Sequence, residues 1–262
     1  MEEPLIRATG VNMVYGTRGN RVEALCDIDL DVKPHTFVTI LGPSGCGKST
    51  LLKIIGGLLR PTSGQVTIGG KPVAEALKSK PFGFVFQEAA LLPWRDVLHN
   101  ATLLLEMNGH GQSANEARAK SLLEMVGLEG FLRHYPGELS GGMRQRVAIA
   151  RALSIDPQIL LMDEPFGALD AITRDKMNLE LLRIWSETKK TAVLVTHSIM
   201  ESVFLSDEVF VMSSRPGRII ERAVIDLPRP RDMGLQKTAR FLEYVDHLRL
   251  LLDRGSSDVA CG

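Results

Sequence analysis

Nine consecutive residues constrain this chain more than any others: Gly42-Pro43-Ser44-Gly45-Cys46-Gly47-Lys48-Ser49-Thr50 follow the β-rich run Thr36 to Leu41 and lead into LLKII. The first eight fit G-x-x-x-x-G-K-[ST], in which glycines let successive backbone N–H groups turn onto phosphate oxygens. In that pattern Lys48 meets the β- and γ-phosphates and the Ser49 hydroxyl ligates Mg2+. A helix opening near Lys48 adds the positive end of its dipole. The plain alternative is a Gly-rich turn that merely opens a helix. The preceding run argues against it, because it has the continuous apolar character of a strand buried on both faces.

Around this strand, loop and helix the rest of the chain falls into place. Its 262 residues allow one large domain or two small ones, and 44% hydrophobic with 24% charged residues is the composition of a soluble globular protein. Ile28, Leu30 and Val32 alternate with Asp27, Asp29 and Asp31, the period-2 pattern of a strand with one wet face, so an antiparallel sheet is expected near the N-terminus. Gln65 to Ile68 and Gly83 to Phe86 read as two further strands, both expected to join that sheet, and LLKIIGGLL reads as helical throughout. From about Leu98 to Phe131 the period becomes helical, with Ser113 as the expected cap of its second helix and Gly127 and Gly130 at its end.

Strand signals return at Ile159 to Met162, Ala192 to Thr196 and Glu208 to Met212, with Met177 to Trp185 helical between the first two. Such alternation predicts a parallel sheet covered by helices. After Pro228-Arg229-Pro230-Arg231 a last amphipathic helix carries Phe241, Val245, Leu248 and Leu252 on one stripe, and Gly255 to Gly262 is expected to be disordered. The expected division is a phosphate-binding domain over 1–228, with a helical insert about 88–158, and a C-terminal helix and tail over 229–262.

Charge narrows the partners. Thirty-one Lys and Arg balance thirty-one Asp and Glu, so no global basic field suggests nucleic acid. The longest stretch without a charged side chain, Pro34 to Gly47, is 14 residues, well short of the ~20 apolar residues of a membrane span. Cys26, Cys46 and Cys261 form no paired framework, and the acidic start Met1-Glu2-Glu3 lacks an apolar leader; both suit a reducing, cytoplasmic compartment.

Two more motifs carry chemistry. Ile159-Leu160-Leu161-Met162-Asp163-Glu164 is an apolar strand delivering two adjacent carboxylates at its C-terminal end, where ligands of an open α/β sheet sit. One can hold Mg2+ while the other takes a proton from water; alone, the pair is more often a solvated helix start, and the phosphate loop tips the reading. Leu139-Ser140-Gly141-Gly142-Met143 heads the helix former run RQRVAIARAL, with Ser140 as N-cap and two glycines bare enough for an anion to approach. By itself this is only a capped helix.

Together these motifs resemble the ATP-binding subunits of ABC transporters. LSGGM is similar to the family's LSGGQ signature, and Gln87 after GFVF resembles its Q-loop. Ala168-Leu169-Asp170 resembles the D-loop, His197 after AVLVT the switch histidine, and Tyr15 in VYG the aromatic that stacks on adenine. Two departures stand out: Met143 replaces the signature Gln, and Ala168 stands where Ser is frequent, and neither removes a catalytic group. The segments SSRPGRI (213–219) and DLPRPR (226–231), with EPFGALD and LLPW, resemble the nitrate, sulfonate and taurine branch of bacterial importers; physically they show a tight turn and a Pro-fixed exit into the last helix.

The resemblance implies a P-loop NTPase fold of α/β class, with a mostly parallel core sheet, an N-terminal antiparallel β subdomain and an inserted α-helical subdomain. It also implies ATP and Mg2+ as cofactors, and a homodimer with each ATP between one copy's loop and the other's Ser140-Gly141-Gly142. Lys48 and Ser49 would serve phosphate and Mg2+, Asp163 and Gln87 Mg2+ and water, Glu164 as general base, and His197 the γ-phosphate. Two transmembrane permease subunits, and indirectly a secreted solute-binding protein, are the implied partners, at the cytoplasmic face of the inner membrane. Leu91, Leu92 and Trp94 in AALLPWR either dock the permease or fill the insert's own core. A soluble ABC-type ATPase of translation or DNA repair is the alternative, although such chains usually carry two cassettes or a long coiled coil. A P-loop kinase would lack both LSGG and His197.

Overall fold

The computed structural model describes residues 3–16, 21–79, 81–107 and 111–257. In chain order, strands β1 (Ile6–Tyr15), β2 (Val22–Val32) and β3 (Phe37–Leu41) precede helix α1 (Lys48–Ile55), then β4 (Ser63–Ile68), β5 (Lys71–Pro72) and the single turn α2 (Val73–Ala76). Next come β6 (Phe82–Val85), α3 (Val97–Glu106), α4 (Gln112–Met125), α5 (Gly141–Ser154), β7 (Ile159–Asp163) and α6 (Ala171–Thr188). The last elements are β8 (Thr191–Thr196), α7 (Ile199–Leu205), β9 (Glu208–Met212), β10 (Ile219–Val224) and α8 (Ala239–Ser257). They form two compact units, Met1–Ser79 with Thr191–Gly262, and Lys80–Lys190. Among the described residues no helix is long and apolar enough to cross a membrane.

The first unit holds two sets of strands. One is antiparallel, in the order β2-β1-β4-β5, and buries Ile28, Leu30 and Val32 while Asp27 and Asp29 face water, as the alternation predicts. The other runs β10-β9-β3-β8, with β3 parallel to both β8 and β9 and β10 antiparallel to β9. Every residue of β3, β8 and β9 is buried, which is why these strands read as continuous apolar runs rather than alternating ones. Phe241, Val245 and Leu248 of α8 are buried, with Leu252 half-buried, so the predicted stripe is the packed face.

In the second unit β6 pairs in parallel with β7. This corrects the expectation that Gly83 to Phe86 belongs to the N-terminal sheet. The connection from β6 to β7 passes through three helices, and a crossover of that length sets two strands parallel, whereas a hairpin would set them antiparallel. A short apolar run alone does not reveal its partner.

Three local expectations also change. α4 is capped by Gly111 with no side-chain bond, so Ser113 is not its cap; a Gln112 to Glu116 hydrogen bond of 3.1 Å supports the first turn instead. Its end is as predicted: Gly127 has φ +66°, and the Leu128 N–H reaches back to Leu123 O at 2.8 Å, a Schellman closure. α1 stops at Ile55 rather than running through LLKIIGGLL, because Gly57 turns left-handed at φ +70° against Leu77. α8 continues to Ser257, overturning the expected disorder for 255–257, while 258–262, including Cys261, lie outside the described residues.

Candidate functional site

Parallel register places the first unit's functional residues. Leu41 of β3 stands beside Thr196 of β8, so the loop starting at Gly42 and His197 leave the sheet at one edge. The Lys48 ammonium, only 4% exposed, donates to Gly42 O and Pro43 O, each at 2.9 Å. Gly47 sits at φ +106°, and a Cβ there would come within 2.7 Å of Leu25 Cδ2 and 2.8 Å of Ala24 O, so no other residue fits without displacing β2. Cys46 is packed underneath, where burial pushes its thiol pKa up against the opposing field of Lys48. The Tyr15 hydroxyl lies 3.2 Å from Thr50 Oγ1, which sets a partly exposed ring beside the start of α1. His197 is exposed and directly precedes Ser198, the N-cap of α7. Tyr15, the loop 42–50 and His197 are thus brought together.

The second unit carries the carboxylates, Gln87 and the signature helix. Asp163, the last residue of β7, is 7% exposed. Glu164 turns the chain with φ +42°, a left-handed conformation that costs a non-glycine residue about 1 kcal/mol or more. The turn closes with Gly167 N–H on Glu164 O at 3.1 Å. Val85 pairs with Met162, so Gln87 leaves β6 at the end where Asp163 leaves β7.

Ser140 caps α5, accepting the Met143 N–H at 3.3 Å, so the Met143 replacement leaves the backbone cap intact. Gly142 is buried near Thr173 and Met177 of α6, while Ser140 stays exposed. Asp170 caps α6 in turn, accepting from Thr173 N at 3.0 Å.

Anchors that sequence reasoning missed hold the loop after β6. Gln145 of α5 donates to Phe86 O at 2.9 Å, and Arg151, buried and with its pKa pushed down by that burial, donates to Ala89 O at 2.7 Å and Ala90 O at 2.8 Å. Asn100, fully buried in α3, accepts from Leu92 N and donates to the carbonyls of Leu92, Arg95 and Asp96. On this frame Trp94 is 71% exposed, whereas Leu91 and Leu92 are half-buried. A groove of about 460 Å³ runs beside it, lined by Gln87, Leu91, Pro136, Arg144 and Leu169 among others. The only sequence signal for these anchors was polar residues on apolar helix faces.

Comparisons with known proteins give the family. The ABC transporter family profile matches residues 25–167. An uncharacterised ABC transporter ATP-binding protein of Methanocaldococcus jannaschii is 51% identical over 239 residues, 91% of this chain and 88% of that protein. A taurine import ATP-binding protein of Rhizobium johnstonii is 48% identical over 254 residues, 95% of this chain and 96% of that protein. Among solved structures, a dimeric bacterial ABC transporter cassette superposes with a TM-score of 0.75 at 36% identity, covering 85% of this chain and all of that one. A post-hydrolysis state bound to ADP and Pi gives 0.75 at 35% identity, with the same coverage. The chain belongs to the ABC transporter ATP-binding family. It is an ATP-binding, ATP-hydrolysing subunit of P-loop NTPase fold, and the soluble alternative in translation or repair is not favoured.

Proposed function

We propose that this chain powers a bacterial-type importer for nitrate, a sulfonate, taurine or a related small solute. Identity of 43–48% to proteins named as taurine import subunits is the observation that carries this reading. Residues 1–228 act as the ATP-binding domain, 88–158 as its helical insert and 229–262 as a C-terminal extension.

Two copies pack head to tail, each ATP lying between the loop Gly42 to Thr50 of one and Ser140-Gly141-Gly142 of the other. The exposed, Ser140-capped start of α5 supports this, because a helix N-terminus favours an anion and the chain's own loop already opens α1. Tyr15 offers its ring to the adenine, the N–H groups of Ser44 to Thr50 face the phosphates, and Lys48 neutralises charge on the transferred group. Glu164 takes the proton of the attacking water, Gln87 orients that water, and His197 meets the γ-phosphate.

Ser49, Asp163 and Gln87 would hold Mg2+. Their donors are oxygens with a single carboxylate, which suits a hard cation that keeps water and phosphate ligands. When bound, Mg2+ supplies charge neutralisation at the phosphates. Two permease subunits dock on the loop that carries Leu91, Leu92 and Trp94, which sets the chain peripherally on the cytoplasmic face of the membrane, and a secreted solute-binding protein delivers the solute. The exposed Trp94 on its anchored loop supports this, since an exposed aromatic anchor suits an apolar helix.

Replacing the base tests the scheme. Glu164→Gln is expected to retain ATP binding, lose phosphate release by about 100-fold or more, and elute as a dimer with ATP in size-exclusion chromatography. A variant that hydrolyses at the wild-type rate would remove Glu164 from the mechanism.

A further inference from the structure

The segment after β9 reaches the phosphate loop from behind. Arg215 donates from Nε and Nη2 to Gly45 O at 3.1 and 2.8 Å. The Gly45 carbonyl and the Cys46 N–H belong to one trans peptide, so drawing the oxygen outward turns the N–H inward. That N–H makes a long 3.4 Å contact to Pro43 O and otherwise bonds its own thiol sulfur, a weak acceptor, so within the loop it has no strong acceptor. A charged donor on the carbonyl also polarises the peptide and strengthens its N–H as a donor.

The segment is fixed on both sides. Gly217 exchanges backbone bonds with β2, its N–H on Ala24 O and the Cys26 N–H on its own oxygen, both at 3.0 Å. A Cβ on Gly217 would lie 2.2 Å from Cys46 O, so this turn presses directly on the loop's backbone. Ser214 in turn donates its N–H (3.3 Å) and Oγ (3.1 Å) to Gly255 O in the last turn of α8. A Cβ on Gly255 would come within 2.9 Å of Ile220 Cδ1 and 3.4 Å of Ser213 Cα. The end of α8, the turn 213–218 and the phosphate loop are therefore one contiguous stack.

We propose that Arg215 is a positioning residue for the nucleotide, holding the Gly45–Cys46 peptide with its N–H turned toward the phosphates, and that the last turn of α8 sets Arg215 through Ser214 and Gly255. The proposal rests on reading the loop 42–49 as the phosphate cradle. It gives the C-terminal helix a role in ATP affinity without any contact with ATP.

ATP titration of the full chain with Mg2+ tests it, using wild type, Arg215→Ala, Arg215→Lys, Gly255→Val and Lys48→Ala, each with its thermal midpoint. Arg215→Ala is expected to weaken ATP about fivefold to tenfold, as for loss of a charge-assisted hydrogen bond. Its thermal midpoint should stay close to wild type, because Arg215 is exposed. Arg215→Lys should restore part of the affinity, and Gly255→Val should weaken ATP about twofold to threefold by displacing the helix end. Wild-type affinity in Arg215→Ala beside a lost affinity in Lys48→Ala overturns the proposal. Wild-type affinity in Lys48→Ala overturns the reading of the loop instead. An Arg215→Ala defect that comes with a large drop in thermal midpoint and no rescue by Lys makes Arg215 merely structural. Unchanged affinity in Gly255→Val removes α8 from the scheme.

Discussion

The phosphate loop of the first unit and the loop that follows β6 in the second are both irregular backbone at the C-terminal ends of parallel strands, yet they are held in different ways. The phosphate loop gets most of its shape from its own residues: Gly45 and Gly47 supply left-handed torsions, Lys48 bonds two carbonyls five and six positions back, and the remote Arg215 adds its bonds to Gly45 O alone. The loop from Gln87 to Arg95 gets its shape from elsewhere. Gln145 and Arg151 hold it from about 60 positions away, and Asn100 from the following helix. A loop that encodes its own geometry tolerates no change within itself, whereas a loop held by remote side chains can be released without altering any of its residues.

Three substitutions break or sharpen that contrast. The largest effect belongs to Gly47→Ala, which needs φ +106° and brings a Cβ within 2.8 Å of a β2 carbonyl. Urea unfolding is expected to show a loss of about 2–4 kcal/mol, with ATP titration showing no binding. Retained affinity there would mean that the loop is less self-determined than its torsions indicate.

Asn100→Ala comes next. It removes an acceptor and a donor group that together serve four backbone atoms, at a fully buried site, and should cost about 2–3 kcal/mol. In a Trp185→Phe background the anisotropy of Trp94 should fall while ATP affinity is unchanged. A rigid Trp94 in that variant would show that Gln145 and Arg151 suffice to hold the loop.

The smallest effect concerns Asp96. Burial pushes its carboxyl up, but the His99 backbone N–H, the His99 ring and Arg133 outweigh this and hold its pKa below the usual carboxylate range. A lowered folded pKa adds stability above the unfolded pKa, and that stability is lost as pH falls through the folded pKa. Asp96→Asn should therefore flatten the acid limb below about pH 4 by no more than roughly 1 kcal/mol, read from urea midpoints between pH 6 and 3. An unchanged acid limb would show that other carboxylates carry it.

The same contrast explains what could be read from the sequence. Gly42 to Thr50, Asp163 with Glu164, and Ser140 with its glycines were legible as a loop, a strand end and a capped helix start because those geometries depend on neighbours in the chain. The buried strands β3, β8 and β9 were legible from continuous apolar runs. The partner of β6 was not, because FGFV fits either sheet and only the helices between β6 and β7 decide. Arg215 read as part of a turn because its acceptor, Gly45 O, lies 170 positions away. Ser113 misled for the opposite reason, being a good capping residue in a helix that had already begun at Gln112.

One further feature concerns how His197 is mounted. A seven-residue helix such as α7 is marginal by itself, but both its ends are closed. Ser198 accepts the Glu201 N–H, and Arg231, its pKa pushed down to about 10 by burial, donates to Val203 O, Phe204 O and Ser206 O, while Arg229 takes Leu205 O. Deuterium uptake across 199–205 should accordingly be slow. With β8 fixed on one side and this short helix on the other, the backbone that carries His197 is held at both ends. In the proposed role of His197, contact with a phosphate oxygen would then order one small side chain, at a cost of about 1 kcal/mol, rather than a whole segment of backbone.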